Sequence, residues 1–291
     1  MSAHGPPRFD VSALSDPGCV RENNEDRARV VRPADPGVID AKGILVLVAD
    51  GMGGHSAGEV ASEICCAAVH RAYYDDASAT PQALRGALLE ANRLIFEAAS
   101  RDPRLHGMGT TCTALVLRGW QAFWAHVGDS RLYLARDDGL YQMTQDHSVV
   151  ARLVADGQLA RAEARHHADR NVILRALGTH PDVQVDAVEQ PLDLRPGDRF
   201  LLSTDGLTDP VDDGELLQVL GSGAAAAACQ GLVARARAHG APDNVTAVVV
   251  DVHAEGPHAL EIPRETAAWD VTGPAAGGDA AVDGASGASA R

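Results

Sequence analysis

The chain has 291 residues, 45% of them hydrophobic, and a formal net charge of -15. That is enough apolar content for a sizeable core in one large domain or two small ones. The charge repels nucleic-acid phosphates and anionic lipid, which argues against a nucleic acid or a membrane as partner. No window approaches the roughly 18 apolar residues that a membrane span needs. The N-terminus carries no apolar stretch of the signal-peptide kind. The five cysteines, Cys19, Cys65, Cys66, Cys112 and Cys229, make no Cys-x-x-Cys pair and no even disulfide set. The expected setting is a reducing cytoplasm, with the protein soluble there.

Taken in chain order, residues 1–8 read as a loose arm. Glu25-Asp26 precede a strand at Ala28–Arg32. Gly43–Ala49 is a continuous apolar run, which predicts a strand buried on both faces; it ends in Asp50-Gly51. Helices are expected at 56–74 and 81–100. Thr113–Leu117 and Gln121–Val127 flank Arg118-Gly119-Trp120 as a hairpin, and the second strand runs into Asp129. Arg131–Arg136 is followed by an Asp-Asp-Gly turn at 137–139. Asp146 is expected to cap a helix over 147–156 that stops at Gly157. The strand Asp198–Ser203 leads to Asp205-Gly206. Helices at 212–220 and 224–238 follow, and Asp243-Asn244 precede a last strand at Val245–Val252. From 254 to 291 Gly, Ala, Pro and Asp dominate, which predicts a disordered tail. Hairpin strands beside paired helices predict an α+β fold with sheets sandwiched between helices.

Six acids thus stand at the ends of apolar strands: Glu25, Asp26, Asp50, Asp129, Asp205 and Asp243. A buried carboxylate needs a proton, a cationic side chain or a metal ion. Lys42 is the one lysine near these segments. An oxygen-only donor set without Cys or His suits hard cations such as Mg²⁺ or Mn²⁺ and disfavours zinc. Any single Asp-Gly pair is more often a turn than a ligand, so the reading rests on the ensemble.

That ensemble resembles the type 2C metal-dependent protein phosphatases in their bacterial form. The matching pieces come in the family's order: Arg21-Glu22-Asn23-Asn24-Glu25-Asp26, Asp50-Gly51-Met52-Gly53-Gly54-His55, Gly107-Met108-Gly109-Thr110-Thr111, Gly128-Asp129-Ser130-Arg131, Thr144-Gln145-Asp146-His147-Ser148, Asp205-Gly206-Leu207-Thr208-Asp209 and Asp243-Asn244. They cover residues 9 to 253. The resemblance implies a four-layer α-β-β-α sandwich with two central, mostly antiparallel sheets, a catalytic domain over 9–253 and a flap at about 145–182. It implies hydrolysis of phosphoserine and phosphothreonine on proteins by a water that two cations activate, in a monomer that opposes a serine/threonine kinase.

The resemblance also assigns roles. Asp50 bridges two Mn²⁺ or Mg²⁺ ions, the Gly51 carbonyl joins one shell, and Asp205 and Asp243 complete the other. Glu25 and Asp26 act on the second ion directly or through waters. Asp129 with Asp205 offers a weaker third site. Arg21 holds the substrate phosphate, since a guanidinium fork matches phosphate oxygens. One departure stands out: eukaryotic members often carry His after the Asp-Gly pair, and this chain has Met52. His55, His147 or a metal-bound water remain as proton donors for the leaving group. Among other classes, a pseudophosphatase would normally lack one of Asp50, Asp205 and Asp243. A nuclease calls for a basic stripe that is absent. A role in an anti-sigma-factor partner switch stays open on the same fold.

Overall fold

A computed structural model describes residues 5–53 and 57–254, together with the backbone of residues 268–271. In order these form β1 (Pro7–Asp16), β2 (Asp26–Val31), α1 (Pro36–Lys42), β3 (Ile44–Met52), α2 (Ala57–Asp75), α3 (Thr80–Arg101), β4 (Gly109–Thr110), β5 (Cys112–Arg118), β6 (Gln121–Val127), β7 (Arg131–Arg136) and β8 (Gly139–Gln142). Then come α4 (Val149–Ala155), α5 (Arg161–Ala164), β9 (Asp186–Ala187), β10 (Leu192–Asp193), β11 (Arg199–Ser203), α6 (Asp205–Thr208), α7 (Asp213–Leu220), α8 (Ala225–Ala238), β12 (Val245–Ala254) and β13 (Ala268–Val271).

The strands form two sheets, one ordered β1-β12-β11-β7-β8 and one ordered β10-β6-β5-β3-β2-β13, with β4 on β3 and β9 on β6. Each ladder is antiparallel, as in β1 on β12, β11 on β12 and β2 on β3. Three apolar cores separate four layers. Leu45, Leu47 and Ala49 of β3 pack towards Val69, Leu84 and Leu88 of α2 and α3. The alternate residues Ile44, Val46 and Val48 face Phe200, Leu202, Val248 and Val250 of the other sheet. Val245, Ala247 and Val249 of β12 turn outward to Leu216, Leu232 and Val233 of α7 and α8. A strand buried on both faces must be apolar at every position, which is why Ile44–Ala49 shows no polar alternation. The α+β four-layer sandwich implied by the sequence is the fold observed.

Several boundaries differ from the sequence reading. β1 begins at Pro7, so Pro7 and Arg8 of the expected arm belong to a strand. Phe9, Val11 and Ala13 alternate into the inter-sheet core, a period-two signal beneath polar spacers. The first of the predicted strands starts at Asp26, ahead of Ala28. Asp146 does not cap α4; Ser148 does, its side chain accepting from the Ala151 N–H. Asp146 is instead gripped by the Arg131 guanidinium, at 2.6 Å from Nη2 and 3.0 Å from Nε. The segment expected to be a disordered tail contains β13, which lies antiparallel on β2 with Ala268 opposite Val31 and Val271 opposite Ala28. The hairpin turn narrows to Gly119-Trp120, and Asp137 and Asp138 both take positive φ, as a tight two-residue turn before Gly139 requires.

Candidate metal centre

The ladders bring the six acids to one edge of the sandwich. Because β2 and β3 run antiparallel, the first residue of β2 stands opposite the end of β3, and Asp26 pairs with Asp50. In the other sheet Ser203 pairs with both Arg131 and Ala247. Asp205, two residues past β11, Asp129, two before β7, and Asp243, two before β12, therefore leave the same end. Asp50 and Asp205 come within hydrogen-bonding reach of each other across the two sheets.

Hydroxyl groups and amides hold these acids. Asp26 is fully buried, and its Oδ2 accepts from Thr204 Oγ1 at 2.8 Å and Thr246 Oγ1 at 2.7 Å. Ser15 extends this cradle to Asn24, whose amide reaches the Ser15 hydroxyl. The Asp50 backbone is fixed on both sides. Its N–H donates to Thr111 Oγ1, and its carbonyl accepts from the Thr110 hydroxyl and the Thr111 N–H, each at 2.9 Å. Asn244 clamps the acidic loop: its Oδ1 accepts the Glu25 N–H at 2.8 Å, and its Nδ2 donates to the Asn23 and Pro17 carbonyls. Arg27 reaches back to the carbonyls of Asn24 and Asp26 and pairs with Glu59. Gly51 admits no side chain, since a Cβ there would lie 2.0 Å from the Gly58 carbonyl and 2.7 Å from that of Glu25. A Cβ on Gly58 would meet the Glu25 carboxylate at 2.6 Å, so Glu25 stands against the start of α2 beside Gly51.

Three buried carboxylate oxygens, Asp26 Oδ1, Asp129 Oδ1 and Asp205 Oδ1, have no hydrogen-bond partner. Such orphaned acceptors are costly. Burial pushes Asp26 up to about 7, against the two threonine hydrogen bonds and with the Asp205 charge adding to it. Burial, then Asp209 and Asp243, pushes Asp205 up to about 6. Asp50 and Asp129 are raised well above the usual carboxylate range, first by burial and then by their acidic neighbours. Glu25 is raised by burial, partly offset by Arg21. A cluster of mutually repelling buried oxygens, offset only at its margins by Arg21 and Arg131, fits hard divalent cations. Among the described residues no three His, Cys, Asp or Glu side chains converge as a finished metal cage. The Asp243 carboxylate explains part of this, since its Oδ2 is held by Arg21 Nη2 at 2.7 Å and its Oδ1 by the Asn244 N–H.

Arg21 is exposed beside this edge, and the fork expected to take phosphate is paired with Asp243. Asp129 lies near Asp205, Asp146, Asp209 and Arg131; Asp146 and Asp209 enlarge the cluster beyond the six acids. His55 lies outside the described residues. His147 is not free to donate to substrate: it is 7% exposed, and both ring nitrogens contact protein groups. Sequence reasoning missed the threonine cradle and the Asn244 and Arg27 clamps, although Thr110-Thr111 and Asn244 stood inside the quoted motifs.

A four-layer sandwich with a carboxylate cluster at one sheet edge defines a class of metal-dependent hydrolase fold. Residues 23–230 match the family described as Protein phosphatase 2C, and the chain belongs to that family. It is 40% identical over 242 residues to the serine/threonine protein phosphatase PstP of Mycobacterium tuberculosis, covering 83% of this chain and 44% of that relative. The chain thus spans less than half the length of that relative. It is 35% identical over 243 residues to the serine/threonine phosphatase stp of Listeria innocua, covering 81% of this chain and 93% of the relative. The solved catalytic domain of PstP in complex with 2 manganese ions is similar, with a TM-score of 0.73 at 39% identity over 85% of this chain and 99% of that one.

Proposed function

We propose that this chain is a metal-dependent serine/threonine protein phosphatase that hydrolyses phosphoserine and phosphothreonine on proteins. The observation that carries the reading is the orphaned set of Asp26, Asp129 and Asp205 oxygens, gathered with Asp50 at one sandwich edge. Asp50, the Gly51 carbonyl, Asp205 and Asp243 would hold two Mn²⁺ or Mg²⁺ ions, with Glu25 and Asp26 contributing directly or through waters. Asp129 with Asp205 would hold a weaker third. Bound there, divalent cations lower the pKa of an attacking water from about 15.7 towards 7 and neutralise charge on the phosphate.

The chain's own residues do the rest. Thr110 and Thr111 lock the Asp50 backbone, so its carboxylate is aimed before any ligand arrives. Asp243 would hold a cation, and the Arg21 fork beside it would take phosphate oxygens. Relatives named as serine/threonine phosphatases support phosphoproteins as substrates; the counterpart would be a serine/threonine kinase. Residues 9–253 act as one catalytic domain, and about 145–182 as its flap, in a monomer. Free cysteines, four of them buried, support a cytoplasmic setting. No helix among the described residues is long and apolar enough to cross a membrane.

The test is hydrolysis of phosphoserine, phosphothreonine and phosphotyrosine peptides after chelation and after adding back Mn²⁺ or Mg²⁺. Turnover of the first two only with metal is expected. Full activity after exhaustive chelation would sink the proposal.

A further inference from the structure

Asp129 presents a positioning problem. Its Oδ1 is buried without a partner, so no hydrogen bond to that oxygen sets its direction. The direction must come from the backbone on either side. On the C-terminal side Ser130 is pinned twice: its hydroxyl meets Thr111 Oγ1 at 2.6 Å, and its carbonyl accepts from Thr113 Oγ1 at 2.9 Å. On the N-terminal side stands Gly128, at φ 112°, where a Cβ would lie 2.5 Å from the Thr111 side chain. A glycine is obligatory there, and a glycine restrains its own backbone least.

His147 supplies the missing restraint. Its backbone N–H donates to the Gly128 carbonyl at 2.7 Å, and its Nδ1 accepts the Gly128 N–H at 3.1 Å. The tautomer follows from the partners. The group that faces Nδ1 is the Gly128 N–H, a donor, so Nδ1 carries the lone pair and Nε2 carries the proton. That proton points at Asp186 Oδ2, 3.0 Å away. Arg175 Nη1 lies 3.2 Å from Nε2, but two donors cannot bond each other; its partner is Asp186 Oδ1 at 3.1 Å. Thr113 and Ser130 on one side, and His147 oriented by Asp186 on the other, bracket Asp129. Since the Leu174 N–H donates to the His147 carbonyl at 2.7 Å, the bracket also joins this turn to the base of the 145–182 segment.

We propose that His147 is a positioning residue: through Nδ1 it locks the Gly128–Asp129 turn and so aims the Asp129 carboxylate. The functional consequence rests on the reading of Asp129 as a ligand of the weaker cation, and the test separates the two. The two conservative variants divide the ring's functions. The amide of H147N reaches where Nδ1 stands and can accept from Gly128, whereas the amide of H147Q reaches towards Asp186 and leaves the Gly128 N–H without an acceptor.

Amide hydrogen exchange of the metal-free full chain reads the clamp directly. In H147Q the Gly128 amide should exchange about tenfold faster than in wild type, the worth of one hydrogen bond, while Ala125 and Leu115 in the strands keep their protection. In H147N, Gly128 should stay near wild type. Equal Gly128 protection in all three proteins, or equal loss in both variants, overturns the proposal. In parallel, the Mn²⁺ concentration for half-maximal phosphopeptide turnover should rise severalfold in H147Q and less in H147N. If Gly128 exchange follows the stated order while the Mn²⁺ requirement stays fixed, the clamp stands, and only the metal reading of Asp129 falls.

Discussion

Asp26 and Asp50 stand directly opposite each other at the register position where β2 begins and β3 nears its end. Directly opposed residues of an antiparallel pair share a face of the sheet, about 5 Å apart at Cβ. A buried and a half-buried carboxylate therefore meet there, and Asp205 approaches from the second sheet. Stability alone disfavours such an arrangement, because like charges in a dry site repel. A bound cation reverses the sign of that term.

The first prediction concerns pH. Asp26 at about 7 and Asp205 at about 6, with Asp50 and Asp129 also raised, bind more protons in the folded metal-free chain than in the unfolded one. Stability then falls with rising pH, from just above the unfolded value near 4 through the ionisation of Asp205 at about 6 and Asp26 at about 7. The metal-free melting temperature should drop by several degrees between pH 5 and pH 8. Saturating Mn²⁺ at pH 8 should restore it, by about 2.7 kcal/mol at a hundredfold excess over Kd. A melting temperature that rises from pH 5 to pH 8 without metal would contradict the account.

Asp205→Asn should separate stability from activity. Removing one of the repelling charges should leave the metal-free melting temperature unchanged or higher. Turnover should fall by a factor on the order of 10³ or more, since cation chemistry supplies both nucleophile and charge neutralisation. A variant that melts early and yet turns over normally would reverse both assignments.

Arg21→Ala should raise KM and lower kcat/KM for a phosphopeptide by about one to two orders of magnitude, the worth of a charge-assisted bidentate contact. Mn²⁺ affinity should hold or tighten, because the substitution frees Asp243 from its 2.7 Å pairing. Weakened Mn²⁺ binding would make Arg21 a support for the metal site and not a phosphate ligand.

The tail also has a consequence to measure. A chain ending at Gly256 should keep its activity, because β13 lies on β2 away from the acid edge, with Val271 no nearer than Ala28. It should, however, open the β2 edge, and open strand edges invite pairing with other chains. The alternate backbone amides of residues 28–31 that face β13 should lose exchange protection while those facing β3 keep it, and light scattering at high concentration should show self-association. Unchanged protection over 28–31 would mean that β13 does not shield that edge.

Much of this is legible in the sequence. The doubly buried strands announce themselves as unbroken apolar runs, and the acids follow them at turns, so β3, β6, β11 and β12 and the cluster at their ends could be read directly. β1 was harder because its core residues Phe9, Val11 and Ala13 are diluted by Asp10 and Ser12. α1 hid because it is short and buries no residue; its signals were only Asp35 as cap and Pro36 behind it. The threonine cradle was out of reach, since Thr204 and Thr246 lie 178 and 220 residues from the carboxylate that they hold. Asp146 looked like a cap because Asp before an apolar run usually is one; the half-buried Arg131 holds it away from the helix end. A strand in a Gly- and Ala-rich tail has no periodicity to betray it, because the β2 edge supplies its ladder.

The most direct test of the central claim is calorimetric titration of Mn²⁺ into the metal-free full chain, beside Asp50→Asn. The account predicts two tightly bound ions in the wild type, with any third far weaker, and loss of at least one tight ion in Asp50→Asn. Absence of tight binding by the wild type, or the same two tight ions in Asp50→Asn, would contradict it.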